Sequence, residues 1–340
     1  MVDRALWKLI GFRVLAIPVS LAVVATLAFG LVALMPGDPV AQILGQFASE
    51  PEIAALRAEL GLNLPLVDRY LDFMLRLVHG DLGTSFISRR PITHEIASYL
   101  PATIELVALS TLGAVVIGLA LGGAGAYFQG RLPGRLPGAI ITVIQSVPDF
   151  LLALLLIFFF FYLWGLAPPP IGRLGFGQTP PEPITGMLLV DALLRSDLTT
   201  FRTVLHASVL PVLTLSVVYS AYIAKIARAT ISTALASDQV LYARACGLRE
   251  LRVFQYALLQ ARTPILTYGA ILFGALIGGA AIVETVFAWR GVGEWALQSM
   301  LKLDIPAIQG FIIVAGGLTL LIYLALDVLV LVLDPRLRIQ

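Results

Sequence analysis

The strongest constraint on this chain is a series of long stretches that contain no charged side chain. Residues 14–35 form one such run of 22. Others cover residues 106–128, 150 to about 165, 203–224, 263–283 and 305–326. The third run extends back to about Ala139, at the cost of enclosing Asp149. A helix rises 1.5 Å per residue, so about 20 apolar residues cross about 30 Å of hydrocarbon. No segments of about ten residues with alternating polarity occur, which excludes barrel strands as the spanning form. The expectation is an all-α membrane protein with six transmembrane helices.

Composition agrees with this reading. Of the 340 residues, 59% are hydrophobic and 13% charged, against about 45–50% and about 25% in soluble domains. Arg4, Lys8 and Arg13 precede the first run as they would in a signal peptide, but that run exceeds the 7–15 residues of a signal core. It is read as a retained first span. Small residues recur every fourth position at Ala114, Gly118, Gly122 and Ala126, and again at Gly274 and Gly278. Such stripes let helix backbones approach closely, either within the chain or between subunits.

Charge sets the expected orientation. With both termini cytoplasmic, the inside segments hold 13 of the 23 basic residues and only four acids, a net of +9, while the outside segments net −3. The short turn carrying Arg131 and Arg135 weighs most, because long loops obey the positive-inside rule poorly. The outside loop, residues 36–100, is expected to be structured. Ser49 and Glu52 form a capping-box pattern ahead of Ile53, Leu56 and Leu60, with Gly61 as a stop. Pro65 opens a second amphipathic helix that ends near Gly80, and Pro91 opens a third. These helices would lie on the outer surface or cover the bundle.

Enzyme motifs are absent. There is no GxxxxGK[ST] loop, no HExxH and no GxSxG. The one cysteine, Cys246, forbids an intrachain disulfide, and three scattered histidines do not suggest a metal site. No nucleic acid partner is expected. Ionisable groups within spans are costly and usually functional. Asp149, after Pro148, is read as a cap for the helix restarting there or as a substrate contact. Glu284, Asp327 and Glu105 are placed near the interfaces, in reach of water.

The inside loop from Lys225 to Arg262 is basic and too polar to insert. Asp238 is expected to cap a helix through Val240, Tyr242, Ala243 and Ala245. Gly247 interrupts it, Leu248 follows, a second helix runs from Arg249 to Leu259, and Pro264 starts the fifth span. Tyr242, Leu248 and Phe254 are expected to be exposed knobs on a helix–Gly–helix elbow. Such an elbow fits a groove on a partner protein, or an amphipathic rest on lipid headgroups.

The stretch Tyr242-Ala243-Arg244-Ala245-Cys246-Gly247-Leu248, with Ala257-Leu258 and Ala261 through Pro264, resembles the EAA loop of ABC-importer permeases. More narrowly, the chain resembles the dipeptide/oligopeptide permease family over nearly its whole length. Met35-Pro36-Gly37-Asp38-Pro39, Gly80-Asp81-Leu82-Gly83-Thr84-Ser85, Leu100-Pro101-Ala102-Thr103-Ile104-Glu105-Leu106, Val283-Glu284-Thr285-Val286-Phe287 with Gly291-Val292-Gly293, and Asp334-Pro335-Arg336 each fit a family motif, in order. The family usually has Lys at the position of Cys246. A His is common at Tyr256 and an Asn at Gln260.

This resemblance implies a type I ABC importer permease fold. Residues 1–99 would hold the first span and the outside loop, 100–333 the five-helix transport domain with a coupling loop at about 236–262, and 334–340 a cytoplasmic tail. Implied partners are a homologous second permease, two ABC ATPase domains, an extracytoplasmic substrate-binding protein and membrane lipid of the cell inner membrane. This chain would bind no cofactor; ATP and magnesium would sit on partner subunits. Tyr242, Ala243, Arg244, Ala245, Gly247, Leu248, Arg249, Phe254 and Pro264 are expected to couple to the ATPase. Gln145, Ser146, Asp149, Thr214, Ser216, Tyr219 and Tyr222 are the candidates to line a pore. A self-sufficient ion-coupled carrier is the alternative, and a non-transporting membrane scaffold is a third class.

Overall fold

The computed structural model of the protein describes residues 2–45, 49–175 and 177–333. The expected Asp334-Pro335-Arg336 motif and the tail lie outside the described residues. Among them the structure is helical, and the only β pairing is an isolated bridge between Thr84 and Pro91.

The first span is α1 (Val2–Ala33), whose membrane-long apolar part is Leu15–Ala33. Three short helices follow it: α2 (Pro39–Leu44), α3 (Glu50–Glu59) and α4 (Leu66–Val78). The capping box forms, with Ser49 N–H donating to Glu52 Oε2 at 2.9 Å, and α3 stops before Gly61. α4 buries Phe73 beside Phe29 of α1, with ring centroids 5.7 Å apart, and leaves Leu71, Leu75 and Val78 exposed. It covers the bundle with one face and leaves the other, apolar face exposed.

The helix opened by Pro91 is not a separate surface helix. It is the start of the second span, α5 (Ile92–Tyr127), which runs unbroken through Pro101 and across residues 99–100. The third span is broken. α6 (Arg135–Ser146) meets α7 (Asp149–Leu156) at a bend of 98°, and α7 continues as a π-helix (Ile157–Leu163). The cause is Pro148, which lacks an N–H and forces Val147 into an extended conformation with ψ of 119°.

After α8 (Leu188–Leu194), the long helix α9 (Leu198–Leu235) is capped by Asp197, which accepts from Thr200 N at 3.0 Å. Then come α10 (Asp238–Ala245), α11 (Glu250–Gly279), α12 (Ala281–Val286), α13 (Val292–Leu301) and α14 (Ile305–Leu333). Among the described residues, five single helices are long and apolar enough to cross a membrane, and the bent pair makes a sixth when its two arms are counted as one span.

The core lies between α5, α9 and α11 and includes Leu106, Ala114, Leu215, Ile223, Ala227, Ala257, Ile265 and Leu276. The small-residue stripe of α5 serves this intrachain packing. A methyl group on Gly122 would come 2.5 Å from Ala224 O and 2.8 Å from Ala227 Cβ, and one on Gly118 would come 2.9 Å from Ser220 O. α1 closes the bundle against α14, where Ala25 and Phe29 meet Ile313.

Candidate functional site

The elbow between α9 and α11 has a defined geometry. Ser237, not Asp238, stands at the N-cap position of α10: it is extended, with ψ of 151°, its hydroxyl donates back to Ala234 O, and Asp238 is the first helical residue. α10 ends in a Schellman arrangement. Leu248 N donates to Ala243 O at 3.2 Å and Gly247 N to Arg244 O at 2.9 Å, with Gly247 at φ 78°. That left-handed turn is strained for a residue with a Cβ, which explains a glycine there. Arg249 is then extended and caps α11.

Two side-chain links join the arms. Arg244 donates to Glu250 from Nε at 3.1 Å and from Nη2 at 3.3 Å. Gln260 Nε2 donates to Gln239 Oε1 at 2.8 Å. Val240 is the buried anchor of α10. Tyr242 is 73% exposed, and Arg244, Ala245 and Arg249 are exposed beside it, whereas Ala243 and Leu248 are half-buried. Between the arms lies a cleft of about 310 Å³ lined by Gln239, Tyr242, Cys246, Leu248, Tyr256 and Gln260.

Beyond the cap, three expectations for the elbow need correction. Leu248 is half-buried rather than an exposed knob. Phe254 is not an exposed knob. It packs edge-on against Tyr127 of α5, with centroids 5.4 Å apart, and lies beside Gly123. The contact partner is more than a hundred residues away, so periodicity within the loop could not reveal it. Pro264 does not start a helix, because α11 runs through it from Glu250 to Gly279. The elbow is thus rigidly continuous with the fifth span.

The polar residues of the spans divide into two groups. Thr214 and Ser216 are buried inside the chain. Thr214 Oγ1 donates to Leu210 O at 2.8 Å, and Ser216 Oγ to Ser110 O at 3.1 Å. They are occupied by helix packing and present nothing to a pore. By contrast, Gln145, Asp149 and Tyr219 are half-buried, while Ser146 and Tyr222 are exposed. Asp149 Oδ1 accepts from Phe150 N at 2.7 Å, and the Tyr219 and Tyr222 rings lie 6.1 Å apart.

Two of the acids expected near water, Glu284 and Glu105, are instead buried, at the end of the bundle opposite the elbow. Glu284 is 0% exposed. It accepts from Thr103 Oγ1 at 2.5 Å and from Glu294 N at 2.8 Å, while Val292 N donates to Thr103 Oγ1 at 2.8 Å. Glu105 accepts from Leu189 N at 2.6 Å and lies 3.8 Å from Arg173. Trp289, fully buried, donates to Ala102 O at 2.9 Å. Asp304 accepts from Ser85 Oγ at 2.5 Å and from Phe86 N at 3.0 Å. The motif residues Ser85, Thr103, Glu105 and Glu284 therefore hold together the segments at the end of the bundle opposite the elbow. Asp191 does the same for its own loop, accepting from Thr185 Oγ1 and from the N–H groups of Ile184, Thr185 and Gly186. Burial works to raise its carboxyl, but these bonds outweigh it and hold the group below the usual aspartate range.

Among the described residues, no group of three or more His, Cys, Asp or Glu side chains could hold a metal ion.

Residues 114–339 match the family model described as "Binding-protein-dependent transport system inner membrane component", and residues 6–107 match the corresponding N-terminal model. The probable D,D-dipeptide transport system permease protein DdpB of Escherichia coli (strain K12) is 35% identical over 332 residues, covering 97% of each chain. The di/tripeptide transport system permease protein DppB of Pseudomonas aeruginosa is 34% identical, over 93% of this chain and 94% of that one. The glutathione transport system permease protein GsiC of Salmonella typhimurium is 33% identical, over 96% and 97%. A solved amino acid ABC transporter with histidines has a TM-score of 0.46 at 21% identity, covering 72% of this chain and 94% of that one. With a family model spanning most of the helical bundle and relatives matching end to end, the chain belongs to the binding-protein-dependent ABC importer permeases: it is a multi-pass membrane subunit that leaves ATP hydrolysis to other subunits.

Proposed function

We propose that this permease forms half of a pore for short peptides or similar solutes, paired with a homologous second permease. Two ATPase domains carrying ATP and magnesium sit beneath the pair, and an extracytoplasmic binding protein delivers the solute. The termini and the elbow face the cytoplasm. The cargo class rests on relatives whose names specify dipeptides, di/tripeptides and glutathione.

The observation that carries this reading is the cleft between the elbow's arms. Cys246, Tyr256 and Gln260, the three positions where the loop departs from the family pattern, all line it. An ATPase side chain seated there, against exposed Tyr242, would push on α10 and through it on α9 and α11. The Schellman turn and the two cross-arm links make that push a rigid-body motion. A carrier driven by an ion gradient has no use for such a cleft.

Cys246 is exposed and is the sole cysteine, so it is a natural reporter. A membrane-impermeant maleimide should label it in inside-out vesicles and not in right-side-out ones. In the assembled importer, bismaleimide should cross-link it to a cysteine placed in the ATPase groove, and Tyr242→Asp should abolish both the cross-link and peptide uptake. Labelling from the outside, or uptake by this chain without ATPases, would overturn the proposal.

A further inference from the structure

The short helix α4 meets two membrane spans well inside their ends. Tyr70 and Phe73 set their rings against Phe29 of α1, with centroids 5.3 and 5.7 Å away, and the Tyr70 and Thr26 hydroxyls are 2.9 Å apart. Phe73 also shares an apolar cluster with Ala25 of α1 and Ile313 of α14, on which Met74 and Leu77 pack. The apolar part of α1 is the 19 residues Leu15–Ala33, about 28 Å of helix and so a match to the hydrocarbon core. Phe29 and Ala25 stand about 6 and 12 Å short of its end at 1.5 Å per residue. Ile313 stands about 12 Å in from the start of α14 at Ile305 by the same measure. Two spans thus give the contact face of α4 the same depth, below the level at which they leave the hydrocarbon.

The side chains of α4 sort into three arcs. At 3.6 residues per turn, Tyr70, Phe73, Met74 and Leu77 fill about 100° and face the bundle. Asp68, Arg69, Asp72 and Arg76 fill about another 100°, and Arg76 pairs with Asp72 at 2.9 Å. Val67, Leu71, Leu75 and Val78 close the circle with an arc of about 80°, and they are 53–80% exposed. The bundle therefore covers only about half of the apolar surface of α4. Among the spans, α1 packs chiefly on α14, so α4 sits on the flank of the bundle. There α1 has an exposed apolar stripe of its own at Val23, Leu27 and Leu31.

We propose that α4 is an interfacial helix lying in the leaflet at the end of the bundle opposite the elbow. Val67, Leu71, Leu75 and Val78 rest among the first acyl-chain carbons of phospholipids, and the charged arc stays with their headgroups. Depth selects lipid as the occupant, because a helix of this kind sinks about 5–10 Å into the headgroup and acyl boundary. So does the charged arc that borders the apolar one, which suits a boundary between hydrocarbon and headgroups better than an apolar contact between two proteins. The inference needs the chain to span a membrane and does not rest on peptides as the cargo.

The test uses the assembled importer in phosphatidylcholine proteoliposomes, with and without phosphatidylcholine brominated near the headgroup end of its acyl chains. The emission that Leu71→Trp and Leu75→Trp each add over wild type should fall by about half or more in the brominated bilayer, as for an indole at interfacial depth. Asp72→Trp, in the charged arc, should keep most of its added emission. A second arm places a photoreactive group by Leu75→benzoylphenylalanine, which on irradiation should give a phospholipid adduct of this chain. Unquenched emission at both Leu71→Trp and Leu75→Trp would overturn the proposal. Equal quenching at Asp72→Trp would also overturn it, as would a cross-link from position 75 to the second permease, the binding protein or another copy of this chain.

Discussion

Arg244 on α10 and Glu250 on α11 form a two-point ion pair across Gly247, Nε to Oε1 at 3.1 Å and Nη2 to Oε2 at 3.3 Å. Both side chains are solvent-exposed, so the pair adds at most about 1 kcal/mol to stability. Its consequence is geometric: it fixes the angle between the short arm and the helix that becomes the fifth span.

Glu250→Ala should therefore leave membrane insertion and the unfolding midpoint nearly unchanged while uncoupling ATP hydrolysis from uptake in the assembled importer. The charge swap Arg244→Glu with Glu250→Arg should restore part of the coupling. Equal coupling ratios in wild type and Glu250→Ala would show that the pair is incidental.

The contact of α5 with α9 is a tight seam of the bundle. Gly122 has backbone of α9 as its neighbour, with Ala224 O and Arg228 N standing 2.5 and 3.0 Å from a built-on methyl. Backbone atoms cannot rotate away, so Gly122→Val should cost about 1–3 kcal/mol or more by overpacking. Denaturation in detergent by SDS would register it. Gly278→Ala, in open space, should unfold like wild type.

Local signals carried much of this architecture. Uncharged runs marked the spans, Ser49 and Glu52 marked α3, and Gly247 marked the elbow, because each depends on residues adjacent in sequence. What stayed hidden depends on distant partners. Phe254 looks like a surface knob until Tyr127 is beside it. Thr214 and Ser216 read as pore-facing until their own chain covers them. Glu284 sits two residues from the end of a short helix, a position that suggests water, yet Thr103 and the Glu294 N–H enclose it. The bend at Pro148 was visible as a proline, but not its size of 98°.

The chain of bonds from Val292 N to Thr103 Oγ1 to Glu284 Oε1 links α13, α5 and α12. Glu284→Ala would strand the Thr103 hydroxyl and the Glu294 N–H in a buried site, at roughly 1–3 kcal/mol for each stranded donor. Thr103→Ala alone should also destabilise. Because the two act through one network, the double variant should cost less than the sum, with a coupling of about 0.5–3 kcal/mol. Additive costs would mean that the two side chains stabilise the α5–α12–α13 junction independently.

Asp191 gives its loop an acid sensitivity with a definite sign. Its carboxyl is held below the usual range by Thr185 and by the N–H groups of Ile184 and Gly186, against the opposing effect of burial. A group depressed in the folded state stabilises fully above its unfolded value, about 3.9 for aspartate. That stabilisation fades as pH falls from there through the lower folded value. Hydrogen exchange of the 184–191 segment should accordingly quicken, relative to the rest of the chain, as pH is lowered below about 4. Asp191→Asn should remove the pH dependence and open the segment at neutral pH as well, because an amide oxygen replaces only part of a carboxylate that accepts four bonds. An Asp191→Asn segment as protected as wild type at neutral pH would show that the loop is held by its packing on Leu188 and Leu189 rather than by the carboxylate.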